Sequence, residues 1–528
     1  MPLFVCHSRR ESASAVVFAY ASFDTIILLL LRGIGGIMFK RMSARYVSCG
    51  LLAVSLCCAA ARAQDNDPTP VIHVDNPPNT AGQQAKHYVI LVSLDGFRYD
   101  YPAKYGAPHI QSMAKDGASA PDGMLPAYPS LTFPNHWSIV TGLYPEHHGI
   151  VANSFFDPTR TPAQGQTYVY TKPATNGDGS WYGGTPLWVL AEQQGMRSAC
   201  LFWPGSEAEI QGKRPSYYLH YDDKVDDKKR VDQVIAWLSL PPELRPHFIT
   251  LYYPNVDHMG HLYGPDSGEV RAAVHHVDDM IGDLQTKLAA LKLPVDLVVL
   301  ADHGMVTLKG TIDLSQFADL TEVHTVGSLL YAKDVAATEK LYEQFKAHPD
   351  PRFSVYRRAD VPKALHYDSN VREGDPVIVP NGPYTFRTRF FLGTLQRGAH
   401  GFDPMAMPEM KAIFYAEGPD IKPGVQLPLF RNVEVYPLIV DMLGLASQPV
   451  DGNRGVLMPA LAGSTILVGL RVDEKGNPTN IRVLRGVGGD MDQKAIEVVR
   501  KYHFKPSFKE GKPVATEIHI EVNLRKSP

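Results

Sequence analysis

The chain has 528 residues, 44% apolar and 20% charged, with 52 basic against 55 acidic side chains and a formal charge of −3. This length exceeds one ordinary core and implies two or more domains. The balance excludes wholesale disorder and a polytopic membrane protein, and the charge excludes a generic binder of nucleic-acid duplexes. Cys6, Cys49, Cys57, Cys58 and Cys200 are the only cysteines, too few for a disulfide scaffold.

Residues 1–63 read as a leader. Basic Lys40, Arg41 and Arg45 precede the apolar run from Gly50 to Ala60, which ends at Ala61-Arg62-Ala63. A basic region, an apolar run and a small-x-small end make a secretory signal peptide, with cleavage expected after Ala63 and a periplasmic or secreted product. The apolar stretch from Thr25 is short for a span and interrupted by Arg32. It is read as lying upstream of a true start at Met38 or Met42, the alternative being an N-terminal membrane anchor. Residues 64–86, rich in Asp, Pro and Asn, read as an extended linker.

Folding begins at Tyr88–Leu94, a continuous apolar run that suits a buried parallel strand and stops at Asp95-Gly96. Phe248–Tyr253 and Leu297–Ala301 have the same character. Between them Val270, Val274, Val277, Ile281, Leu284, Leu288 and Leu291 recur at helical spacing. Strand, helix and strand predict an α/β domain over residues 87–460, a mostly parallel central sheet flanked by helices with ligands at the carboxyl ends of its strands. From Ser464 a period-2 pattern appears at Ile466, Val468, Leu470 and Val472, again at Ile481 and Val483, and again at Ile518, Ile520, Val522 and Leu524. A helix carrying Met491, Ala495, Val498, Val499 and Tyr502 intervenes. Residues 461–528 are therefore expected to form a small β-β-α-β domain.

Acidic and imidazole side chains cluster where the predicted strands end: Asp95, then Asp257-His258-Met259-Gly260-His261, then Asp302-His303. His400 follows nearly a hundred residues later. Carboxylates and imidazoles without thiolate suit an open, catalytic zinc or related divalent site. Singly, such Asp-His pairs also serve as capped turns, and His258 reads as second to Asp257 and His261 or as solvated. Thr132, in Pro129-Ser-Leu-Thr-Phe-Pro-Asn-His136, falls where a loop opens a helix. There it either caps the helix or, beside a divalent cation, becomes a nucleophile. Phe133 packs beneath that helix or faces a ligand.

Leu94-Asp-Gly-Phe-Arg98, Thr132-Phe-Pro-Asn-His136, Gly142-Leu-Tyr-Pro-Glu146, Asn153, Phe202-Trp-Pro-Gly205, Val256-Asp-His-Met-Gly-His261, Ala301-Asp-His-Gly-Met305 and Gly398-Ala-His-Gly401 stand in one order. The set resembles the nucleotide pyrophosphatase/phosphodiesterase family of the alkaline phosphatase superfamily. The resemblance implies two zinc ions, one held by Asp257, His261 and His400, the other by Asp95, Thr132, Asp302 and His303. It implies Thr132 as nucleophile, a covalent threonine intermediate, and Asn153 with the Thr132 N–H on a phosphate oxygen. It also places a nucleobase between Phe133 and Tyr221, with Tyr218 as the other candidate partner. The substrate would be a nucleotide or another small phosphodiester. Some relatives act on phospholipid or choline-headgroup phosphodiesters, which is the alternative activity. Cys200 lacks the sulfatase spacing and reads as a core residue.

Val472-Asp-Glu-Lys-Gly476, Asn480-Ile-Arg-Val483 and Tyr502-His-Phe-Lys-Pro506 resemble the TonB C-terminal domain. This implies a module that contacts an envelope protein by strand addition. A reading of another class is an envelope binding protein with structural metals.

Overall fold

The computed structural model describes residues 70–387, 396–462, 465–485, 490–509 and 511–523. The leader, both candidate starts and the cleavage point lie outside these residues, and none of the described helices is long and apolar enough to cross a membrane.

A nine-stranded sheet forms the centre. Its strands in chain order are β1 (Ile72–His73), β2 (Tyr88–Leu94), β3 (Gly117–Ser119), β4 (Ser198–Leu201), β5 (Tyr217–Tyr218), β6 (Phe248–Tyr253), β7 (Val295–Leu300), β8 (Phe414–Glu417) and β9 (Val425–Gln426). Their spatial order is β1-β5-β4-β6-β2-β7-β8-β3-β9. From β5 to β7 every pairing is parallel; β8 runs against its neighbours and β1 against β5. Every residue of β2 and β6 is buried, which is why these strands read as unbroken apolar runs rather than alternating ones. In register, Leu94 faces Tyr253 and Ser93 faces Leu300, so the carboxyl ends of β6, β2 and β7 lie side by side.

The helices that matter are α1 (Pro108–Asp116), α2 (Thr132–Thr141), α3 (Leu187–Gln193), α4 (Asp227–Leu238), α5 (Asn255–Tyr263), α6 (Gly268–Leu291) and α7 (Val435–Met442). The predicted helix is α6, opened by Ser267, whose Oγ accepts from the Val270 N–H at 3.2 Å. Val270, Val274, Val277, Ile281 and Leu284 are buried, while Leu288 and Leu291 are half-buried against the same core. It packs beside α1, α4 and α5, whereas α7 packs on α2 and α3. Cys200 is wholly buried in β4, in line with its reading as a core residue.

The described part of the expected linker behaves differently. Ile72–His73 adds an antiparallel edge strand to β5. Asn79 is buried, donating to the Pro242 and Arg245 carbonyls and accepting from the Arg197 N–H. A Pro- and Asn-rich segment reads as a linker from composition, yet its amide side chains satisfy backbone groups of the folded body.

Between the ligands at the end of β7 and His400 the chain builds a lobe with its own core, formed by Ile312, Leu314, Leu330, Leu341, Phe345, Phe353 and Ile378. Glu373, on the turn Val371–Glu373, is 1% exposed, and burial, with the Glu146 charge adding, pushes its carboxyl up to about 9. The folded state therefore holds a proton that the unfolded chain releases near pH 4.3. That contribution is complete below the unfolded value and is lost as pH rises through about 9. In urea titrations at pH 5 and pH 9, Glu373→Gln is expected to narrow the stability difference between the two; an unchanged difference would show that Glu373 ionises freely.

The C-terminal segment has a third core of Ile466, Val468, Leu470, Val472, Ala495, Val499 and Val522. Thr465–Val472 is central in a three-stranded antiparallel sheet between Pro478–Arg485 and Thr516–Asn523, with helix Asp490–Arg500 after the second strand. A small hairpin, Ser507–Lys509 with Lys512–Val514, adds to the expected β-β-α-β order. Tyr502 falls beyond the helix and is exposed, and the side chains of Met491 and Leu524 lie outside the described residues.

Candidate metal centre and nucleophile

Asp95 follows β2, Asp257 and His261 stand on α5 just after β6, and Asp302 and His303 follow β7. Each leaves a strand at the sheet's carboxyl edge, and the parallel register brings them to one crevice. His400 arrives from the far side of the lobe directly after the short strand Gly398–Ala399, which pairs with Val306–Thr307. His303 and His400 stack with ring centroids 3.6 Å apart, so the two expected ligand sets adjoin.

The imidazoles are oriented by backbone carbonyls. The Nδ1 atoms of His261, His303 and His400 lie 3.0, 3.0 and 2.9 Å from the carbonyls of Gly398, Gly304 and Ser130. A carbonyl only accepts, so Nδ1 carries a proton in each ring and Nε2 is the atom turned inward. The Nε2 atoms of His261 and His400 are 3.0 Å apart, with Asp257 Oδ1 3.4 and 3.5 Å away. His303 Nε2 lies 2.9 Å from Asp302 Oδ2, 3.5 Å from Asp95 Oδ1 and 3.3 Å from Thr132 Oγ1. Asp95 Oδ1, Asp257 Oδ1 and Asp302 Oδ2 are buried without hydrogen-bond partners. Inward imidazole Nε2 atoms and orphaned carboxylate oxygens converging in this way are the ligand types of divalent cations, and these residues fit such ions.

Electrostatics agree. Burial and the Asp302 and Asp257 charges hold the Asp95 carboxyl well above its usual range. Burial alone would raise Asp302 too, but His303 and His136 outweigh it and hold Asp302 well below. Burial, with His303 and His261 adding, keeps His400 neutral far below the usual imidazole range.

Thr132 is the first residue of α2 and half-buried; its hydroxyl reaches His303 rather than capping the helix. Asn135 fixes the preceding loop by donating to the Pro129 and Leu131 carbonyls at 3.0 and 2.8 Å and accepting from the Ala127 N–H at 2.7 Å. The Phe133 N–H donates to Asn153 Oδ1 at 3.0 Å, which turns the Asn153 amide NH2 outward, and Pro134 has no N–H. The Thr132 N–H is left as the free donor of the first turn.

The aromatic positions divide. Tyr221 is 48% exposed at the rim, its ring 5.5 Å from Phe202 and 6.2 Å from Tyr252, and Glu207 anchors it by accepting from its backbone N–H. Tyr218 is buried in β5 and is not the ring at the rim. Phe133 meets Tyr170 edge-on at 5.2 Å. Burial and the charges of Asp257 and Asp95 raise the Tyr170 hydroxyl, placing that ring beside the carboxylates, and no sequence signal had marked it. His136 is a second residue left without a role. It is fully buried, with Nδ1 2.8 Å from the Thr132 carbonyl and 3.4 Å from Asp302 Oδ2, and Nε2 2.8 Å from Ser93 Oγ. Its i+4 spacing from Thr132 on a helix was the available clue. His258 is exposed, as a solvated residue would be.

A crevice at parallel strand ends, lined by carboxylates and inward imidazoles and faced by a hydroxyl at a helix N-terminus, defines a hydrolase of metal-dependent type. The chain belongs to the type I phosphodiesterase/nucleotide pyrophosphatase family, whose model matches residues 89–403, and it is accordingly a phosphodiesterase; residues 462–525 match the Gram-negative bacterial TonB protein C-terminal family. A pyrophosphatase/phosphodiesterase of Schizosaccharomyces pombe is 35% identical over 396 residues, covering 70% of this chain and 80% of that protein. Mouse ectonucleotide pyrophosphatase/phosphodiesterase family member 7 is 34% identical, covering 73% and 90%. The human family member 1 is 36% identical, but the chain spans only 41% of its length. Among solved structures, murine ectonucleotide pyrophosphatase/phosphodiesterase 5, as an inactive threonine-to-alanine variant in complex with AMP, superposes with a TM-score of 0.66. It is 28% identical, and the match covers 71% of this chain and all of that one (100%).

Proposed function

We propose that the protein is an exported, zinc-dependent nucleotide pyrophosphatase/phosphodiesterase that works through a covalent threonine intermediate. The observation that carries this reading is the clustering of three partnerless carboxylate oxygens and three inward Nε2 atoms, one of which, that of His303, lies 3.3 Å from Thr132 Oγ1. Asp257, His261 and His400 would hold one ion, and Asp95, Asp302, His303 and Thr132 the other. Bound there, zinc supplies the positive charge that makes a neutral-pH hydroxyl nucleophilic and offsets charge on the leaving oxygen.

The chain's own groups do the rest. Thr132 Oγ1 bonds to phosphorus as the bond to the leaving alcohol or phosphate breaks, and the hydroxyl proton leaves with solvent. Water then cleaves the phosphorus–threonine ester and restores the hydroxyl. The Thr132 N–H and the Asn153 amide point donors at the phosphoryl oxygens as negative charge accumulates. An amide and a backbone N–H at these positions suit a monoanionic diester. Phe133, Tyr170 and Tyr221 offer flat apolar surface for a base, and the AMP complex of the murine relative supports a nucleotide. Export rests on the leader pattern of residues 1–63, and an envelope partner on the TonB-like segment.

Chelation of the full chain is expected to abolish cleavage of a chromogenic thymidine monophosphate ester, and zinc to restore it. Full turnover after chelation, or faster cleavage of glycerophosphocholine than of any dinucleoside polyphosphate, would overturn the metal or the nucleotide half of this reading. The N-terminal sequence of the exported protein is expected to begin after Ala63.

A further inference from the structure

At the opposite end of the sheet from the crevice lies a second group of ligand-type side chains that the hydrolase reading does not use. His87 immediately precedes β2, Asp296 is the second residue of β7, and Asp420 stands just beyond β8. One ligand atom from each lies within 4.8 Å of the other two. His87 Nδ1 is 2.9 Å from Asp420 Oδ2, and Asp296 Oδ1 accepts from the Asp420 N–H at 2.9 Å.

The remaining oxygen is the telling one. Asp296 is 0% exposed, and its Oδ2 has no hydrogen-bond partner. An unpaired buried carboxylate oxygen costs several kcal/mol unless something positive meets it. Among the described residues no lysine or arginine pairs with Asp296 or Asp420; His87 is the one basic group in contact. The backbone is shaped around the carboxylate: Gly418 has φ +139°, and a Cβ there would stand 2.4 Å from Asp296 Oδ1. His87 and Asp420 are about one-third exposed, so an ion could enter from solvent.

We infer that His87, Asp296 and Asp420 form a separate divalent-cation site, of the zinc or manganese class given one imidazole and two carboxylates. The ion would meet the Asp296 Oδ2 that has no hydrogen-bond partner. It would also tie β2 and β7 to the segment after β8, against which residues 460–462, the strap that leaves the catalytic body, are laid. That strap is held at the same place, since the Ala462 N–H donates to the Asp420 carbonyl at 2.7 Å and the Lys422 N–H to the Ala460 carbonyl at 2.7 Å. The natural competitor is a proton shared between the two carboxyls, which needs no metal.

The test counts bound metal. The full chain is stripped, reloaded with zinc, freed of excess by gel filtration and measured by mass spectrometry beside the double variant Asp296→Asn, Asp420→Asn. The wild type is expected to retain one equivalent more than the variant at unchanged turnover. The difference holds whatever the catalytic crevice retains, so failure here is separable from failure of the hydrolase reading. Equal zinc content in the two proteins would overturn the site and favour the shared proton. Should the double variant not fold, His87→Ala, at the open rim, is expected to weaken retention of the extra equivalent by more than about tenfold, and unchanged retention would overturn the site equally.

Discussion

Thr132→Ala is expected to lower turnover of nucleotide phosphodiesters by about ten-thousandfold or more while leaving the fold and the zinc content close to those of the wild type. The separation follows from what the side chain touches. Thr132 is half-buried at the first position of α2, and its hydroxyl makes one polar contact, 3.3 Å to His303 Nε2. Alanine fits a first helical turn, so the stability change should stay within about 1 kcal/mol. Asp95, Asp302 and His303 remain in place for the ion. Thr132→Ser should recover part of the rate, because it restores an oxygen at the same point with a freer rotamer. Acid quenching of the wild type during turnover should trap phosphorus on Thr132, and the Ala variant should trap none. Turnover within tenfold of the wild type would remove Thr132 from the nucleophile's role.

What could be read from sequence follows the physics of each element. β2 and β6 were legible to the residue because strands buried on both faces are continuous apolar runs, and the candidate ligands stand where those runs stop. The helix α6 announced itself by spacing. The lobe between the end of β7 and His400 did not, because its strands are only two to four residues long and some pair across great separations; Gly310–Asp313 pairs with Tyr384–Arg387. Short strands joined at long range leave no periodic signal. The docking of residues 70–86 was hidden for another reason. Asn79 is buried through its amide's hydrogen bonds, and composition cannot distinguish such a residue from a solvated one. Tyr170 and the His87–Asp296–Asp420 group escaped because three-dimensional proximity, with no motif, brings them together. The inward imidazoles are the reverse case. Their residue types were legible, but the carbonyls that set their tautomers come from Gly398, Gly304 and Ser130, which no ligand pattern includes.

Those carbonyls make Gly398 a damaging place for a methyl group. The Gly398 carbonyl accepts from His261 Nδ1 at 3.0 Å, and His400 stands two residues further along, just past the same short strand. A Cβ at 398 would lie 2.3 Å from the Gly260 carbonyl oxygen and 3.0 Å from Met305 Sδ. The first neighbour is backbone in the middle of α5, one residue before His261, and cannot swing away as a side chain would. Gly398→Ala must therefore push the His400 strand and α5 apart, spreading the His261 and His400 Nε2 atoms that now sit 3.0 Å from each other. Displacements near 1 Å at a reacting centre cost on the order of a hundredfold in rate. We expect at least that loss, accompanied by weaker retention of one zinc equivalent. Asp95, Asp302 and His303 enter from strands the clash does not touch, so the ion assigned to them should be retained. Excess zinc should therefore restore part of the activity in Gly398→Ala, whereas it should restore none in Thr132→Ala. Wild-type activity and metal content in Gly398→Ala would mean that the close approach of α5 and the His400 strand does not set the geometry of the centre.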